Sequence, residues 1–334
     1  MDPLRIGILG CGGIAGHHAR QLAAMDDAAI VALCDVNPEQ VERFREANLA
    51  DAPAPAAYTD PAAMYAEAGL DAVVIATPHT LHYAQGLEAL DAGCHIFMEK
   101  PMVTNADDAY AFAERVKQAE KIVTVGYCTP ATRPFGFLRD RIREGTYGRL
   151  ELVTGYLCQD WLRLTTGMWR QDPALSGGGQ AYDSGAHLMA SLIWSVEQPI
   201  DEVFAFVDNH GAAVDINSAI AVRFANGVMA SLAIGGNCAK GGQHMSFIFE
   251  NGRVEIDGWG GSYIKVFADG HEETPDLGGD AVTPIRNFVD AVLGRDEPKT
   301  APIHGIHHTE LMDAIYASAR SGRPVRPARR EAAA

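Results

Sequence analysis

The chain has 334 residues, with 43 acidic and 27 basic side chains and a formal net charge of −16. A domain commonly has about 150 residues, so the length favours two domains, and 47% hydrophobic with 21% charged residues excludes a disordered or coiled-coil chain. An acidic chain of this kind is not expected to bind nucleic acid or an anionic membrane, and no apolar run approaches the ~20 residues that span a bilayer.

The N-terminus leads into a strand-like segment and lacks the basic start and apolar run of a signal peptide. No Cys-x-x-Cys pair occurs, and the three histidines at 304–308 have no cysteine or clear carboxylate partner nearby. We therefore expect a cytoplasmic protein without a metal site. Six scattered cysteines are expected as reduced, buried thiols: Cys11, Cys34, Cys94, Cys128, Cys158 and Cys238.

The first part of the chain alternates apolar strands with amphipathic helices. Strands are predicted at 4–9, 30–34, 72–76, 94–98 and 122–125. Helices are predicted up to about residue 25, from the Asn37-Pro38 cap onward, at 80–92 and at 105–120. Continuous apolar strands separated by such helices are typical of a parallel sheet covered on both faces.

The pattern changes after about residue 150, where a longer strand is predicted at 150–158. Asn226-Gly227 and Asn251-Gly252 each separate two strand-like runs and predict hairpins with type I′ turns, because both residues tolerate positive φ. The second part is therefore expected to be mainly antiparallel and of α+β type. Helices are predicted at 183–194, 285–293 and 309–320, and an irregular tail from Pro324 onward.

The turn after the first strand reads Gly10-Cys11-Gly12-Gly13-Ile14-Ala15, a G-x-G-x-x-A pattern. The first glycine permits a tight turn, the second lets a pyrophosphate approach the backbone, and the small third residue allows close helix packing. Asp35 ends the next strand, where a carboxylate accepts hydrogen bonds from ribose hydroxyls and repels a 2′-phosphate. The pattern predicts NAD in preference to NADP; the alternative is a glycine-rich turn of another α/β protein.

Two further segments follow predicted parallel strands. Thr77-Pro78-His79 comes after the third strand and Glu99-Lys100-Pro101 after the fourth. Ligands bind at the carboxyl ends of the strands in open parallel sheets, so both segments are expected to face the cofactor.

With these segments the chain resembles the Gfo/Idh/MocA oxidoreductases, the family of glucose–fructose oxidoreductase and inositol dehydrogenase. The resemblance covers nearly the whole chain and rests also on Tyr58-Thr59-Asp60, His82, Gly126-Tyr127, Trp169-Arg170, Gly177-Gly178-Gly179, Asp183-Ser184-Gly185-Ala186-His187 and Ala314-Ile315-Tyr316-Ala317-Ser318-Ala319. It implies an α/β protein in which residues 1–126 form an NAD-binding Rossmann domain with a doubly wound parallel sheet. Residues 127–334 would form a substrate-binding and oligomerisation domain with a large, open, mainly antiparallel sheet. Whether the last helices pack back on the N-terminal domain is left open.

The glycine turn and the resemblance together imply a set of cofactor-binding residues, namely Gly10, Gly12, Gly13, Ile14, Ala15, Asp35, Thr77, Pro78, His79, His82, Glu99 and Lys100. The resemblance places Glu99 on the nicotinamide side and implies a cis Lys100–Pro101 bond. It implies that the substrate is bound by Tyr127, Trp169, Arg170, Asp183 and His187. Core or interface roles for Tyr127, Trp169 and Arg170 stay open. For the pair His17-His18 the alternatives are that one histidine helps to close the cofactor site or that the pair has a capping or packing role.

Asp183 and His187 are four residues apart, which on a helix places both on one face. There a carboxylate can fix the tautomer of an imidazole and stabilise its protonated form, although the spacing alone favours a structural hydrogen bond. The resemblance implies that Lys100, Asp183 and His187 are catalytic. His187 would take the proton of a secondary alcohol, Asp183 would orient His187, and Lys100 would stabilise charge on the oxygen.

The expected function is therefore an NAD-dependent dehydrogenase or reductase acting on a CH–OH group of a sugar, polyol or inositol. The alternatives are an NAD-recycling glycosidase of the same family and a non-catalytic dinucleotide-sensing regulator. The resemblance also implies a homodimer or homotetramer assembled through the C-terminal sheet. After Gly126-Tyr127 many members carry Arg-Phe, whereas this chain has Cys128-Thr129, so no particular sugar is carried over.

Overall fold

A computed structural model describes residues 2–50, 52–278 and 282–328. The chain divides into two compact units, of which the first comprises residues 1–103, 107–126 and 283–303 and the second residues 104–106, 127–282 and 304–334. The first unit thus includes residues 283–303, which the sequence analysis assigned to the second domain. Of the predicted C-terminal tail, residues 329–334 lie outside the described residues, and Val325 forms an antiparallel bridge with Val203.

Strands and helices alternate in the first part of the chain. In order they are β1 (Leu4–Leu9), α1 (Gly13–Ala23), β2 (Ala28–Cys34), α2 (Pro38–Asn48), β3 (Ala56–Tyr58), α3 (Pro61–Glu67), β4 (Ala72–Ile75), α4 (His82–Asp91), β5 (His95–Met98), α5 (Ala106–Ala119) and β6 (Val123–Val125). The short strand β3 is absent from the sequence prediction, because its Ala-Ala-Tyr segment is largely exposed and shows no apolar run.

Longer strands dominate the rest of the chain. The elements are α6 (Arg133–Glu144), β7 (Leu150–Cys158), α7 (Trp161–Leu164), α8 (Pro173–Ser176), α9 (Gly185–Val196), β8 (Ile200–Asp208), β9 (Asn217–Phe224), β10 (Met229–Gly235), β11 (Gly242–Phe249), β12 (Gly252–Ile256), β13 (Ile264–Ala268), β14 (His271–Glu273), α10 (Pro284–Val292) and α11 (Pro302–Ser321).

The first unit contains a parallel sheet whose described strands follow the order β3-β2-β1-β4-β5-β6. Its central strands are apolar and fully buried, as the continuous hydrophobic runs predicted; Ile6, Val73 and Phe97 have no exposed surface. The strand order reverses between β1 and β4, which opens a crevice at the carboxyl ends of these strands. The predicted doubly wound Rossmann sheet is confirmed.

The second unit contains a larger sheet with the order β14-β13-β12-β11-β7-β10-β9-β8 in the described residues. Its neighbouring strands are antiparallel except for β7 and β10, so the prediction of a mainly antiparallel sheet is confirmed. Its inner face packs against α9, which is buried along its whole length. The α/β fold class is therefore correct for both parts.

Both Asn-Gly hairpins form, but the predicted type I′ turns are wrong. Only Gly227 of the first pair has positive φ (89°), and the Gly227 N–H donates to the Phe224 carbonyl at 2.9 Å. This geometry is a type I turn followed by a left-handed glycine. In the second hairpin Gly252 already pairs with Phe249, so the turn lies one residue earlier than predicted.

Within the described ranges, no helix is both long and apolar enough to cross a membrane.

Candidate active site

The glycine turn after β1 has the shape that a dinucleotide requires. Gly10 has φ of +90°, and a Cβ there would lie 2.8 Å from the carbonyl oxygen of Ala76, so only glycine fits. A Cβ on Gly12 or Gly13 would meet no atom within 4 Å, because the turn is open on this side. Ile14 is exposed and Ala15 is buried at the start of α1. The open backbone and the helix N-terminus leave room for a pyrophosphate and fit NAD.

Asp35 follows β2 and is bonded to the glycine turn. Its carboxylate accepts a hydrogen bond from the Cys11 N–H at 2.9 Å and another from the Asn37 N–H at 3.0 Å. The Gln40 side chain also donates to the Cys11 carbonyl, at 2.6 Å. These bonds fix the carboxylate next to the glycine turn, where it is available to a bound dinucleotide.

His82 connects the two segments that follow β4 and β5. Its Nδ1 lies 2.8 Å from the Pro101 carbonyl oxygen and its Nε2 lies 3.0 Å from the Thr77 carbonyl oxygen. Burial lowers the pKa of His82, although both carbonyls favour its protonated form. The side chain is fully buried, so we assign it to holding the Thr77 and Pro101 segments together rather than to direct cofactor contact.

In the segment that follows β4, Pro78 precedes a short 3₁₀ helix at His79–Leu81, and His79 is buried. The Lys100–Pro101 bond is cis, as the resemblance implied.

Glu99 forms a buried pair with His18 that sequence analysis did not assign. His18 Nε2 lies 2.6 Å from a Glu99 carboxylate oxygen, and the Lys100 N–H donates to the other oxygen at 3.1 Å. Burial alone would raise the pKa of Glu99, but the hydrogen bond and charge of His18, together with Lys100, hold it below its ordinary value. Gly126 allows this arrangement, since a Cβ there would lie 3.0 Å from Glu99. The pair fixes the backbone at Lys100.

Asp183 lies in a cluster with Trp169 and Arg170, two of the predicted substrate-binding residues. Its carboxylate accepts hydrogen bonds from Trp161 Nε1 at 2.8 Å and from Arg170 Nε at 3.0 Å. The Arg170 guanidinium also lies over the Trp169 ring, 4.5 Å from its centroid. Arg170 and Asp183 are thus brought together as an ion pair, and Trp161 joins them without having been predicted.

The predicted helix start at Asp183 is wrong, because α9 begins at Gly185. Asp183 therefore lies in the turn that precedes α9, and its predicted relation to His187 stays a prediction. The cause lies in the preceding turn, where the N–H groups of Gly179 and Ala181 donate to the Asp215 carboxylate at 2.7 and 2.8 Å. These bonds hold the backbone in turns up to the helix start.

Asp215 was not identified from the sequence. It also accepts a hydrogen bond from the Tyr316 hydroxyl at 2.5 Å, and burial is the main cause that raises the pKa of Tyr316. A Cβ on Gly179 would lie 1.9 Å from the Asp215 carbonyl oxygen, so this glycine permits the close approach. The carboxylate fixes the backbone at Gly179 and Ala181, just before Asp183.

The Asp183 cluster opens on a cavity of about 440 Å³ in the second unit. Cavities of about 300–1,000 Å³ are typical for small-molecule ligands. Its lining combines apolar and charged groups, among them Gln159, Trp161, Leu164, Thr165, Arg170 and Asp183. An indole beside a guanidinium and a carboxylate can contact the apolar face of a sugar ring and bind its hydroxyls.

His187 lies in the first turn of α9, in a second cluster of the same unit. The Trp259 ring stacks on the imidazole with 4.2 Å between centroids and an interplanar angle of 18°. Cys128 Sγ lies 3.5 Å from His187 Nδ1. Neither Trp259 nor Cys128 was predicted to act with His187, although Asp257-Gly258-Trp259-Gly260-Gly261-Ser262 shows the residues typical of a tight loop. Tyr127, a predicted substrate contact, is buried and packs against His308.

All six cysteines are free thiols. Cys11, Cys34 and Cys94 are buried as predicted, whereas the other three are half-buried. The Cys238 thiol donates to the Lys240 carbonyl at 3.0 Å. Among the described residues, no group of three or more His, Cys, Asp or Glu side chains is arranged to hold a metal ion.

The strand order of the first sheet, the open glycine turn and the carboxylate after β2 together define a dinucleotide-binding Rossmann protein. Two family models match the chain: the Gfo/Idh/MocA oxidoreductase family with an NAD-binding Rossmann fold, over residues 4–127, and the Gfo/Idh/MocA C-terminal domain, over residues 135–258. The chain belongs to this family of NAD-binding oxidoreductases, and the resemblance stated from its motifs is confirmed.

Individual proteins that are similar to this chain share only a minority of its residues. The chain is 27% identical to the myo-inositol 2-dehydrogenase of Thermotoga maritima, over 81% of this chain and 77% of that protein. It is 26% identical to the D-glucoside 3-dehydrogenase of Escherichia coli, over 59% of this chain and 55% of that protein. The WlbA dehydrogenase of Bordetella pertussis, solved with NADH and UDP-GlcNAcA, superimposes with a TM-score of 0.86 at 25% identity, covering 98% of this chain and 100% of that one.

Proposed function

We propose that the protein is an NAD-dependent dehydrogenase that oxidises a secondary alcohol of a sugar, polyol or inositol, or reduces the corresponding ketone. The observation that carries the proposal is the Arg170–Asp183 ion pair beside Trp161, lining a cavity of ligand size in an NAD-binding oxidoreductase. The relatives named above act on inositol and on glucosides, which supports a polyhydroxylated substrate.

Each proposed site residue has a chemical role suited to alcohol oxidation. When bound, the nicotinamide supplies the acceptor or donor of the hydride. His187 takes the hydroxyl proton as general base. Lys100 binds the alcohol oxygen and stabilises the negative charge that develops on it. Asp183 holds Arg170, and together they bind neighbouring hydroxyl groups. The role of Asp183 in orienting His187 stays a prediction.

A substrate panel tests the proposal. Purified protein is mixed with inositols, aldoses, sugar acids and sugar phosphates, each with NAD or NADP, and NADH or NADPH is followed by absorbance. Net, substrate-dependent reduction of NAD with at least one polyhydroxylated compound supports the dehydrogenase. Release of a sugar from an aryl glycoside without net NADH would instead show the NAD-recycling glycosidase. NAD binding without turnover of any compound would favour the regulator.

The cofactor preference rests on Asp35. We expect NAD to bind more tightly than NADP, because the carboxylate accepts hydrogen bonds from the ribose and repels a 2′-phosphate. Asp35→Asn removes the charge at constant size and should lower the ratio of NAD to NADP affinity by about 10- to 100-fold. Titration calorimetry with both dinucleotides measures this ratio, with Glu39→Gln on the exposed surface of α2 as the control. Tighter binding of NADP by the unmodified protein would contradict the preference.

We also propose a homodimer or homotetramer formed through the outer face of the second sheet. Across five neighbouring strands this face carries Phe206, Ala219, Ala233, Tyr156 and His244 in one row. Phe206 is 66% exposed and Tyr156 is 45% exposed, and small residues between them leave a flat apolar surface. An apolar patch of this kind on a sheet face is typical of a protein interface.

Ala233→Arg should convert the assembly to monomers, because the new charged side chain stands in the middle of the flat face. Ala225→Arg, at the exposed hairpin loop after β9, is the matched control and should keep the assembly. Light scattering coupled to size exclusion measures the mass against the 35.8 kDa of one chain. A monomeric unmodified protein would contradict this proposal.

A further inference from the structure

Cys128 occupies the point at which this chain departs from the commoner family pattern, and its sulfur lies between two groups. Sγ is 3.5 Å from Nδ1 of His187 and 3.5 Å from the backbone carbonyl oxygen of Trp259. All three residues belong to the second unit. The thiol can donate one hydrogen bond and can accept another at its sulfur.

The direction of these two bonds follows from the chemistry of the partners. A carbonyl oxygen only accepts, so in the contact with Trp259 the thiol must donate its hydrogen. Both contacts of the sulfur are hydrogen bonds at once only when Nδ1 of His187 donates its hydrogen to the sulfur. If the thiol donated to Nδ1 instead, its contact with the carbonyl would not be a hydrogen bond, and that oxygen would keep the Thr129 hydroxyl, 3.4 Å away, as a donor. In a neutral imidazole with Nδ1–H, Nε2 keeps its lone pair.

The accepting carbonyl is held firmly in place. The Asp257 carboxylate accepts hydrogen bonds from the backbone N–H groups of Trp259 at 2.7 Å, Gly260 at 2.8 Å and Ser262 at 2.8 Å. These bonds hold the pKa of Asp257 below its ordinary value although burial opposes the shift. The same loop stacks the Trp259 indole on the His187 ring, so the imidazole plane and the carbonyl are fixed by one segment.

We propose that Cys128 is a positioning residue that fixes the Nδ1–H tautomer of His187 and so leaves Nε2 free of hydrogen for the proton of the substrate hydroxyl. The inference rests on the proposed function in that it takes His187 as the general base. The thiol of Cys128 thus fixes the tautomer of a histidine, as a carboxylate does in many catalytic pairs.

The tautomer can be observed directly. Ring-¹⁵N-labelled histidine is incorporated, the His187 signals are assigned by their loss in His187→Gln, and long-range ¹H–¹⁵N spectra are recorded at a pH where the imidazole is neutral. We expect hydrogen on Nδ1 of His187 in the unmodified protein and in Cys128→Ser, whose hydroxyl also donates and accepts. Cys128→Ala should show a mixture of both tautomers. Hydrogen on Nε2 in the unmodified protein, or an unchanged spectrum in Cys128→Ala, would overturn the proposal.

Kinetics give a second readout. Cys128→Ala should lower kcat by about 2- to 10-fold with KM nearly unchanged, the range expected from one lost hydrogen bond, and Cys128→Ser should recover most of the loss. Cys94→Ala, which removes a buried thiol that donates to the Leu70 carbonyl in the first unit, should leave kcat unchanged. Full activity of Cys128→Ala would contradict the proposal. Full activity of His187→Ala would instead overturn the proposed function, and the spectra would still decide whether Cys128 fixes the tautomer.

Discussion

Replacing His187 with alanine should lower kcat by about 100- to 10,000-fold, the contribution typical of a positioned general base. The imidazole is buried at the start of α9 between the Trp259 ring and Cys128, so it is held in one orientation. Without it, the alcohol proton must pass to water. Steady-state kinetics with the best substrate of the panel measure the loss, and titration calorimetry checks that NAD still binds, since none of the proposed cofactor-binding residues is changed.

The control for this variant is His210→Ala, which removes an exposed histidine of the same unit at a turn. It should keep full activity. A kcat for His187→Ala within a factor of two or so of the unmodified enzyme, well below the range for a general base, would remove His187 from the proposed role.

Replacing Lys100 with alanine should lower kcat by about 100- to 1,000-fold, as does the loss of a donor that stabilises charge on a reacting oxygen. Its backbone N–H donates to the Glu99 carboxylate, which is itself paired with His18. Lys100→Arg should not restore the rate, because a guanidinium is planar, larger and carries its donors in a fixed fork. The rates are measured at saturating NAD and substrate.

Lys117→Ala is the matched control, since this lysine is exposed on α5. It should leave kcat unchanged. Full activity of Lys100→Ala would show that the rate does not depend on this side chain. Full activity of Lys100→Arg together with no activity of Lys100→Ala would show that a positive charge alone is sufficient at this position.

The parts of the fold that depend on local chemistry could be predicted from the sequence. Pro38 after Asn37 gave the start of α2, where the Asn37 side chain accepts a hydrogen bond from the Glu39 N–H. The glycine turn, the apolar parallel strands and the long strand β7 could also be predicted. Each of these features is determined by neighbouring residues and their spacing.

Features set by distant residues could not be predicted in this way. The start of α9 was misplaced because Asp215, more than thirty residues further along the chain, captures the N–H groups of Gly179 and Ala181. The pairing of Arg170 with Asp183, and of Cys128 and Trp259 with His187, likewise joins separate segments. The Asn-Gly turns failed for another reason. In the first hairpin only Gly227 takes the left-handed conformation, and in the second the pairing of Phe249 with Gly252 moves the turn one residue earlier.

The central claim is that a hydrogen on a carbon of a polyhydroxylated substrate passes to NAD. The most direct test uses the best substrate of the panel with deuterium at the carbon that is oxidised, followed by mass spectrometry of the dinucleotide. The account predicts one deuterium in the NADH for each ketone formed. Product formed with unlabelled NADH, or consumption of the substrate with no reduced dinucleotide at all, would contradict it.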